Sequence, residues 1–375
     1  MLTNKKIAFI STMDSSPWGG SEELWALAAN HALDAGHEVA AFVFRWPSTP
    51  ARLTALERKG GRVFRRPLYY PRVVGRAMRR LSPPFKDLLA FKPDVICINQ
   101  GATYDAIYNP DLPAAVDASS APYVVVCHLS IPNHFPSGGA REAASALYDR
   151  AARVVFVSQD NLRNTQRQLA RDIPNAVILR NPVNLRDLSA VPWPASQTAC
   201  LANVARLGIE FKGQDALLEA LGAPAWRDRD WRLRLYGDGP DRGYLESLAR
   251  YYEIAGRVDF AGHVADIRAL WADNHLLVMP SRAEGIPLAL VEAMLCGRPA
   301  VVTDVGGHTE WIEDGRTGFV AAVPTAASIG AALERAFAAQ MEWVHMGAEA
   351  HASALEKYDE TPGKTFLDLL LAIAR

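Results

Sequence analysis

Short apolar runs rich in β-branched residues alternate with helical segments along this chain, and no other feature of the sequence limits its fold as strongly. In the first half, the predicted strands begin at Lys6, Glu38, Asp94, Tyr123, Arg153 and Ala176. The segment "SEELWALAANHALDAG" is typical of a helix, with Ser21 at the predicted N-cap and Gly36 at the C-terminal stop. Nearly continuous apolar strands separated by helices indicate a parallel sheet that is covered on both faces.

The alternation stops at "NPVNLRDLSAVPWPASQ", which starts at Asn181 and contains three prolines, and we interpret this segment as a linker. A second series then follows, with predicted strands in "ACLANVA", "WRLRLYG", "RVDFAG", "HLLVMPS", "PAVVTDV" and "GFVAAV". We therefore predict two doubly wound α/β domains, over residues 1–190 and 191–358, and a separate amphipathic helix within residues 359–375. Two such domains leave a cleft, and ligands of open α/β sheets bind where strands end.

The composition suits a globular protein of two domains. The chain has 375 residues, of which 49% are hydrophobic and 22% charged, enough for a sizeable core. Four scattered cysteines form no paired spacing, which argues against a disulfide framework or a zinc site and favours a reducing compartment. The apolar run at the N-terminus is too short for a signal peptide, and no run reaches transmembrane length, so we expect a cytoplasmic protein.

Residues 52–86 form a basic segment, with eleven Lys or Arg residues and a single acid, Glu57. Two interpretations remain open: a solvated surface, or a patch for an anionic membrane or a phosphorylated acceptor. The second would place the protein at the inner face of the membrane. No recognition motif for nucleic acid accompanies the charge, so we expect no nucleic-acid partner.

Two candidate positions in the first half follow predicted strands. Gly19 and Gly20 precede a helix start, where free N–H groups and the absent side chains would let a ligand approach the backbone. An ordinary flexible turn is the alternative. His128 ends the predicted strand "YVVVCHL", where it could donate to a substrate hydroxyl or stabilise charge, although a lone histidine is more often structural.

The loops after the first two strands of the second half carry cations and glycines. Arg206 and Lys212 lie on one strand-to-helix loop, as a pyrophosphate clamp would require, whereas the alternative is solvated surface charge. Gly237 and Gly239 in "LYGDGPDR" suggest a tight turn near a ligand. Arg242 occupies the third glycine position of the dinucleotide fingerprint, so a nicotinamide cofactor is disfavoured.

Two acids lie on either side of the start of the predicted helix that runs from about Ile286 to Leu295, with Pro287 in its first turn: Glu284 lies in the loop before the helix and Glu292 inside it. Seven uncharged residues separate Glu284 from Glu292. The helical rise spaces these acids about 12 Å apart, too far to share a proton or to act as a retaining glycosidase pair. They could instead hold the two ends of an extended polyol ligand, and the alternative is a helix with one buried Glu paired to an Arg.

Several of these segments together resemble glycosyltransferase family 4, the retaining GT-B enzymes. They are "WGGSEELWALAANHALDAGHEV", "VARLGIEFKG", "LYGDGP" and "EGIPLALVEAMLCGRPAVVTDVGGHTEWI", and the resemblance extends in order over nearly the whole chain. It implies two Rossmann-like domains that face a cleft, with the acceptor bound by the first and a nucleotide-sugar donor by the second. It also implies that the C-terminal helix crosses back onto the N-terminal domain.

The resemblance implies a role for each matching residue of the second domain. Arg206 and Lys212 would neutralise the donor diphosphate, Glu284 would bind sugar hydroxyls, and Glu292 would bind the ribose. The helix start whose backbone meets sugar and phosphate would comprise Gly285, Ile286, Pro287 and Leu288. One departure lies in the linker, where Asn184 replaces the acid that the family often has.

In the first domain, the resemblance implies that His128 lies near the transferred sugar and that Gly19 and Gly20 face the diphosphate and the acceptor. The implied activity is retaining transfer of a hexosyl group from a UDP- or GDP-sugar to a glycan, a lipid or a small molecule, in polysaccharide or glycolipid synthesis. No metal or other cofactor is expected, because cations stabilise the leaving group, and we interpret Asp228 and Asp230 as surface residues. A nucleotide-sugar epimerase and a catalytically silent binding protein are the alternatives.

Overall fold

The computed structural model describes residues 4–68, 83–109 and 111–375, which divide into two compact units. The first unit comprises Met1–Pro182 and Asp359–Arg375, and the second comprises Val183–Tyr358. Within the described residues, each unit is built on one parallel sheet, of seven strands in the first and six in the second. The prediction of two doubly wound α/β sheets is confirmed, and the units divide inside the proline-containing linker.

The first sheet has the strand order β3-β2-β1-β4-β5-β6-β7. Its strands are β1 (Lys6–Ser11), β2 (Glu38–Phe44), β3 (Arg62–Arg66), β4 (Val95–Ala102), β5 (Tyr123–Leu129), β6 (Arg153–Phe156) and β7 (Ala176–Ile178). The order reverses between β1 and β4, which pair in parallel from Ile7 opposite Val95 to Ser11 opposite Asn99. A ligand edge is expected where these strands end.

Helices cover both faces of this sheet, and each face has its own buried apolar cluster. The described helices are α1 (Gly20–Asp34), α2 (Ala51–Arg58), α3 (Lys86–Phe91), α4 (Asp105–Tyr108), α5 (Leu112–Ser119), α6 (Gly138–Arg150), α7 (Gln159–Leu169) and, at the C-terminus, α16 (Pro362–Ile373). Central strand residues such as Ile10 and Val126 are fully buried, which explains their continuous apolar pattern.

Helix α1 begins earlier than predicted. Its N-cap is Gly19 and its first residue is Gly20, so the prediction of Ser21 as the N-cap is wrong. The backbone of Gly19 is extended and no side chain caps the helix, whereas Gly36 has the positive φ of 83° expected of a C-terminal stop.

Helix α16 packs on α1 within the first unit, as the family resemblance implies. Phe366, Leu367 and Leu370 are buried in the cluster that contains the inner face of α1. The two helices approach so closely that a Cβ at Gly363 would lie 2.5 Å from the Cβ of Leu27. The C-terminal segment is therefore part of the first unit's core.

The second sheet has the order β10-β9-β8-β11-β12-β13. Its strands are β8 (Ala199–Val204), β9 (Trp231–Tyr236), β10 (Val258–Gly262), β11 (Leu276–Met279), β12 (Ala300–Thr303) and β13 (Gly318–Ala321). Its helices are α8 (Ile209–Lys212), α9 (Gln214–Leu221), α10 (Arg242–Tyr251), α11 (Ile267–Ala272), α12 (Leu288–Leu295), α13 (His308–Trp311), α14 (Ala326–Ala338) and α15 (Trp343–Lys357). Short 3₁₀ turns occupy Pro224–Trp226, Ala255–Arg257 and Gln340–Glu342.

The helix that carries Glu292 is shorter than predicted. Pro287 is the N-cap of α12 and the helix begins at Leu288, so Ile286 and Pro287 precede it. The ψ angle of Pro287, 90°, is extended and cannot belong to a helical turn. The predicted end is confirmed, because Gly297 follows the C-cap with a φ of 77°.

None of the helices in the described part of the chain combines the length and the apolar character that a bilayer span requires.

Candidate functional site

Three loops meet where β8, β11 and β12 end, and they are packed backbone against backbone. A Cβ at Gly213 would lie 2.1 Å from the carbonyl oxygen of Pro280, and one at Gly306 would lie 2.3 Å from that of Glu284. Both glycines also have positive φ, at 64° and 55°. Only glycine permits this approach, which brings residues distant in sequence to one edge of the sheet.

Lys212 and Glu284 form an ion pair in this edge. The Lys212 ammonium donates to Glu284 Oε1 at 2.6 Å, and the Ser281 hydroxyl donates to the same oxygen at 2.8 Å. Burial acts to raise the pKa of Glu284, but Lys212, His308 and Ser281 together outweigh it, so the pKa lies below its ordinary value. Glu284 is therefore a buried anion, and its Oε2 accepts no hydrogen bond from the residues that the structure describes.

Arg206 is an exposed cation with no ion pair among the described residues. Its loop is fixed by the two glycines of "LYGDGP": a Cβ at Gly237 or Gly239 would lie 2.2 Å from the carbonyl oxygen of Ala205 or Leu207, respectively. Sequence analysis placed these glycines near a ligand, but the structure explains them by their contact with the loop that carries Arg206.

Glu292 lies on α12 and is only 4% exposed. Its Oε1 accepts from the backbone N–H of Asn184 at 3.0 Å, and no other partner is found for it in residues 4–68, 83–109 and 111–375. The alternative of a buried Glu paired to an Arg is therefore wrong. Burial raises the pKa of Glu292 to about 7, and the Asn184 bond opposes the rise. The family often has an acid at the position of Asn184. In this chain Asn184 contributes its backbone N–H to Glu292.

His308 is a site residue that sequence analysis missed. It is fully buried, and its Nδ1 is 2.7 Å from the carbonyl oxygen of Thr303, which can only accept, so Nδ1 carries the proton. Burial lowers the pKa of His308, and the charge of Glu284 opposes that effect. The Gly-Gly-His order after β12 was the available signal, because the glycines fold the loop against Glu284.

In the first unit, the predicted residues lie at the ends of β1 and β5. A Cβ at Gly19 would make only an ordinary contact, 3.4 Å from the Met13 methyl carbon, so packing does not explain this glycine. His128 is buried and both of its ring nitrogens have partners, Asn99 at 2.8 Å and Asn181 at 3.1 Å. Sequence analysis missed both asparagines, because they occupy a strand end and the linker.

The described part of the basic segment is largely compensated by carboxylates. Four of its cations pair with acids, three of which lie outside the segment: Arg52 with Glu23, Lys59 with Asp34, Arg62 with Glu38 and Arg65 with Glu57. The structure also contains β3 here, where sequence analysis expected loop and helix. Residues 69–82 of the predicted patch lie outside the described residues.

The acidic pair at residues 228 and 230 lies just before β9, at the opposite end of the sheet from the candidate site. Asp230 accepts from the Thr198 hydroxyl at 2.8 Å, and Arg229 between the two acids pairs with Glu334. Among the described residues, no three His, Cys, Asp or Glu side chains are grouped as a metal site would require.

The candidate site of the second unit thus combines charged residues that lie far apart in the sequence. Arg206, Lys212 and Glu284 together carry one net positive charge, which suits an anionic ligand. Glu284 and Glu292 each have one oxygen fixed by the protein and one left without a protein donor among the described residues. Such oxygens are suited to accept hydrogen bonds from ligand hydroxyls.

Two family models match the chain, one in each half. The model described as "Glycosyl transferase 4-like domain" matches residues 19–182, and "Glycosyl transferases group 1" matches residues 198–339. Together they contain the candidate site residues named above, except Asn184.

Curated relatives match over shorter segments. The chain is 30% identical over 182 residues to an alpha-D-kanosaminyltransferase of Streptomyces kanamyceticus, covering 48% of this chain and 43% of that protein. It is 38% identical over 94 residues to an N-acetyl-alpha-D-glucosaminyl L-malate synthase of Bacillus anthracis, covering 25% of each. The chain thus spans less than half the length of these relatives.

Solved structures match over the whole fold. HepE of Anabaena in complex with UDP-glucose gives a TM-score of 0.77 at 22% identity, covering 98% of this chain and 100% of that one. The apo lipopolysaccharide galactosyltransferase WaaB gives 0.70 at 20% identity, covering 98% and 99%. At these identities the likeness concerns the fold.

Proposed function

The chain belongs to the glycosyl transferases group 1, the family 4 type with the GT-B fold, and on that premise we propose that it is a hexosyltransferase. The donor is a nucleoside-diphosphate sugar, linked to UDP or GDP, and the acceptor is a hydroxyl of a glycan, a lipid or a small molecule. The transfer retains the anomeric configuration and needs no metal or other cofactor. Its product belongs to polysaccharide or glycolipid synthesis.

The Lys212–Glu284 ion pair is the observation that carries this proposal. The bond at 2.6 Å uses one N–H of the ammonium and leaves two for a diphosphate oxygen, while Glu284 Oε2 remains for a sugar hydroxyl. One pair can therefore contact both sides of the bond that breaks. Arg206 adds a second cation, and Glu292 lies further along α12, where the ribose is expected.

These groups suit a reaction in which charge separates. When the anomeric C–O bond breaks, negative charge develops on the leaving diphosphate and positive charge on the sugar ring. Arg206 and Lys212 stabilise the first, and fixed cations do so without reorganisation during the step. The acceptor oxygen then attacks the face that the diphosphate leaves, and its proton passes to a phosphate oxygen, so no side-chain base is required.

The donor class is tested by binding and the clamp by substitution. In thermal-shift measurements with UDP, GDP and ADP, one nucleotide should raise the melting temperature more than the other two. A ligand that binds the native state raises the melting temperature. Hydrolysis of the matching nucleotide-glucose should fall roughly a hundredfold in Lys212→Met, which removes an electrostatic stabiliser of the transition state. Arg206→Ala should lower it without loss of stability, because this side chain is exposed.

Arg227→Ala is the matched control, since Arg227 is an exposed cation at the other end of the same sheet. Unchanged hydrolysis in Lys212→Met would rule out the clamp. Conversion of the donor into an epimer without acceptor would favour the epimerase alternative, and binding without turnover would favour a silent binding protein. Proton NMR of the new glycosidic bond reports retention or inversion, and turnover after metal chelation tests the metal-free mechanism.

The first unit is proposed to bind the acceptor, with Gly19 and Gly20 at the end of β1 leaving room for it. A cytoplasmic location agrees with the cysteines, all four of which lie in the described part of the chain and are buried and free. Peripheral contact with an anionic membrane through residues 52–86 is supported by the composition of that segment, although four described cations have carboxylate partners. Co-sedimentation with anionic vesicles should then fall with salt, and binding that ignores both lipid charge and salt would refute it.

A further inference from the structure

His128 is enclosed by asparagines rather than by charged groups. It is the sixth residue of β5 and 5% exposed, and Asn99 and Asn181 contact its two ring nitrogens at 2.8 and 3.1 Å. A third asparagine, Asn161, donates to the carbonyl oxygen of His128 at 3.1 Å. Both the ring and the backbone of this residue are therefore held by amides.

The direction of each hydrogen bond follows from one carbonyl group. The Nδ2 of Asn99 lies 3.2 Å from the carbonyl oxygen of Ser21, which can only accept, so the Asn99 amide has one possible orientation. Its Oδ1 then faces His128 Nε2, which must carry the proton. The unprotonated Nδ1 accepts a hydrogen bond from the Asn181 amide, so its lone pair is engaged and the ring has no free acceptor.

The chain of hydrogen bonds ends on a buried carboxylate. Glu22 Oε1 accepts from Asn99 Nδ2 at 3.1 Å and from the Ser11 hydroxyl at 3.0 Å, and Oε2 accepts from the indole of Trp25 at 2.7 Å. Every donor from Asn181 through His128 and Asn99 therefore points toward Glu22. Aligned donors polarise one another, which strengthens such a chain.

The surroundings oppose a charge on the ring. Burial alone lowers the pKa of His128 to about 3, and the side chains that contact it are neutral amides. Glu22 lies one amide further along these hydrogen bonds, and burial raises its pKa to about 7 against its three donors. His128 is therefore a neutral ring throughout the physiological range.

We propose that Asn99 and Asn181 are positioning residues, which hold His128 in a single orientation with the proton on Nε2 and withhold both ring nitrogens from proton transfer. His128 then contributes to sugar transfer through the placement of its ring and backbone. Asn181 is the penultimate residue of the first unit's N-terminal segment, Met1–Pro182, so the start of the linker is fixed by the same ring. The catalytic part of this inference rests on the proposed function.

The tautomer can be measured without any substrate. In protein labelled with ¹⁵N in its histidine rings, and with His128→Gln to assign the signals, we expect a protonated Nε2, a bare Nδ1 and no titration between pH 5 and 8. A protonated Nδ1, or a ring that titrates in that interval, would overturn the proposal. This result does not depend on whether the protein is a transferase.

Two substitutions of Asn99 test positioning by activity. Asn99→Ala should lower the kcat of UDP-glucose hydrolysis roughly a hundredfold, as small misplacements at reacting centres do, with UDP affinity unchanged. Asn99→Asp still accepts from Nε2 but sets an oxygen, in place of Nδ2, against Glu22 Oε1 and the Ser21 carbonyl oxygen, so the two carboxyl groups should share a proton and the pH–rate profile should gain a new limb.

Asn30→Ala is the control, because among the described residues the amide of Asn30 donates only to the Ala26 carbonyl, within α1. Wild-type kcat in Asn99→Ala would overturn the positioning role. If the wild type fails to turn over UDP-glucose, or Asn99→Ala fails to fold, the ring measurement on the wild type decides alone. The two proposals therefore fail separately.

Discussion

Replacement of Glu292 by glutamine should stabilise the second unit while it weakens nucleotide binding. Glu292 is 4% exposed, and the only described partner of its carboxyl group is the backbone N–H of Asn184. The side-chain oxygen of a glutamine can still accept the hydrogen bond from this N–H. The substitution therefore removes the charge and keeps the bond. A buried charge held by a single hydrogen bond costs stability, and such a cost is tolerated where a ligand uses the charge.

The size of the effect follows from the raised pKa. Burial shifts the pKa of Glu292 from 4.5 to about 7. A group whose folded pKa is raised contributes stability that is complete below pH 4.5 and is lost as the pH rises through 7. For this shift the loss is about 3 kcal/mol. Glu292→Gln avoids it, so the variant should match the wild type near pH 4.5 and exceed it by about 3 kcal/mol at pH 8.5.

Tryptophan fluorescence in urea can follow this difference, because six of the nine tryptophans lie in the second unit. Glu356→Gln, an exposed change on α15, is the matched control and should leave the pH dependence unaltered. A stability difference between Glu292→Gln and wild type that is equal at both pH values would refute the assigned burial cost.

Calorimetry completes the same prediction. If the ionised Glu292 accepts from the ribose, wild-type affinity for UDP should increase as the pH rises through 7. In Glu292→Gln the affinity for UDP should no longer depend on pH in this way. At pH 8.5 it should be roughly tenfold or more below that of the wild type, because a hydrogen bond to a charged group contributes about that much to binding. Unchanged affinity would remove Glu292 from the nucleotide site.

Three further substitutions test packing around the two units. Arg298→Met should lower the free energy of unfolding in urea by roughly 3 kcal/mol or more, because the buried guanidinium donates to several backbone carbonyls, including that of Trp271 at 2.7 Å. Gly306→Ala should weaken UDP binding by calorimetry, since its Cβ would lie 2.3 Å from the Glu284 carbonyl oxygen at a φ of 55°. Phe366→Ala should destabilise the first unit in the same urea assay by about 3–5 kcal/mol, because this ring of α16 is fully buried in the apolar cluster that includes α1.

The sequence predicted every described strand except β3, and the reason for the exception is physical. Buried strands such as β5 have a continuous apolar pattern, because helices cover both faces of the sheet. Strand β3, "RVFRR", lies at the sheet edge, and its charges are satisfied by partners elsewhere, as Arg62 is by Glu38. When the cations of a strand pair with acids on other elements, the sequence alone does not show the partners. Such a strand therefore has the sequence pattern of a solvated, charged surface segment.

The candidate site was predicted as separate residues but not as contacts. The sequence shows which residues lie where predicted strands give way to helices, and ligands of such sheets bind there. Four charged residues were found in this way: Arg206, Lys212, Glu284 and Glu292. The ion pair between Lys212 and Glu284 joins residues 72 positions apart. No local pattern contains such a pair, and it depends on how closely the loops after β8 and β11 approach.

The polar surroundings of His128 include one face of helix α7, which sequence analysis did not single out. Helix α7 buries Asn161, Asn164, Thr165 and Gln168, and these residues recur at helical spacing, so the inward face of this helix is polar. Its amides donate to backbone carbonyl oxygens at the end of β5 and in the loop that follows, Asn161 to His128, Asn164 to Ser130 and Gln168 to Ile131. Where a strand ends beside a ligand edge, its loop carbonyls need donors, and an apolar helix could not supply them. A stripe of amides and hydroxyls with charged residues on the opposite face is therefore evidence that the stripe is buried and supplies donors to a neighbouring strand end.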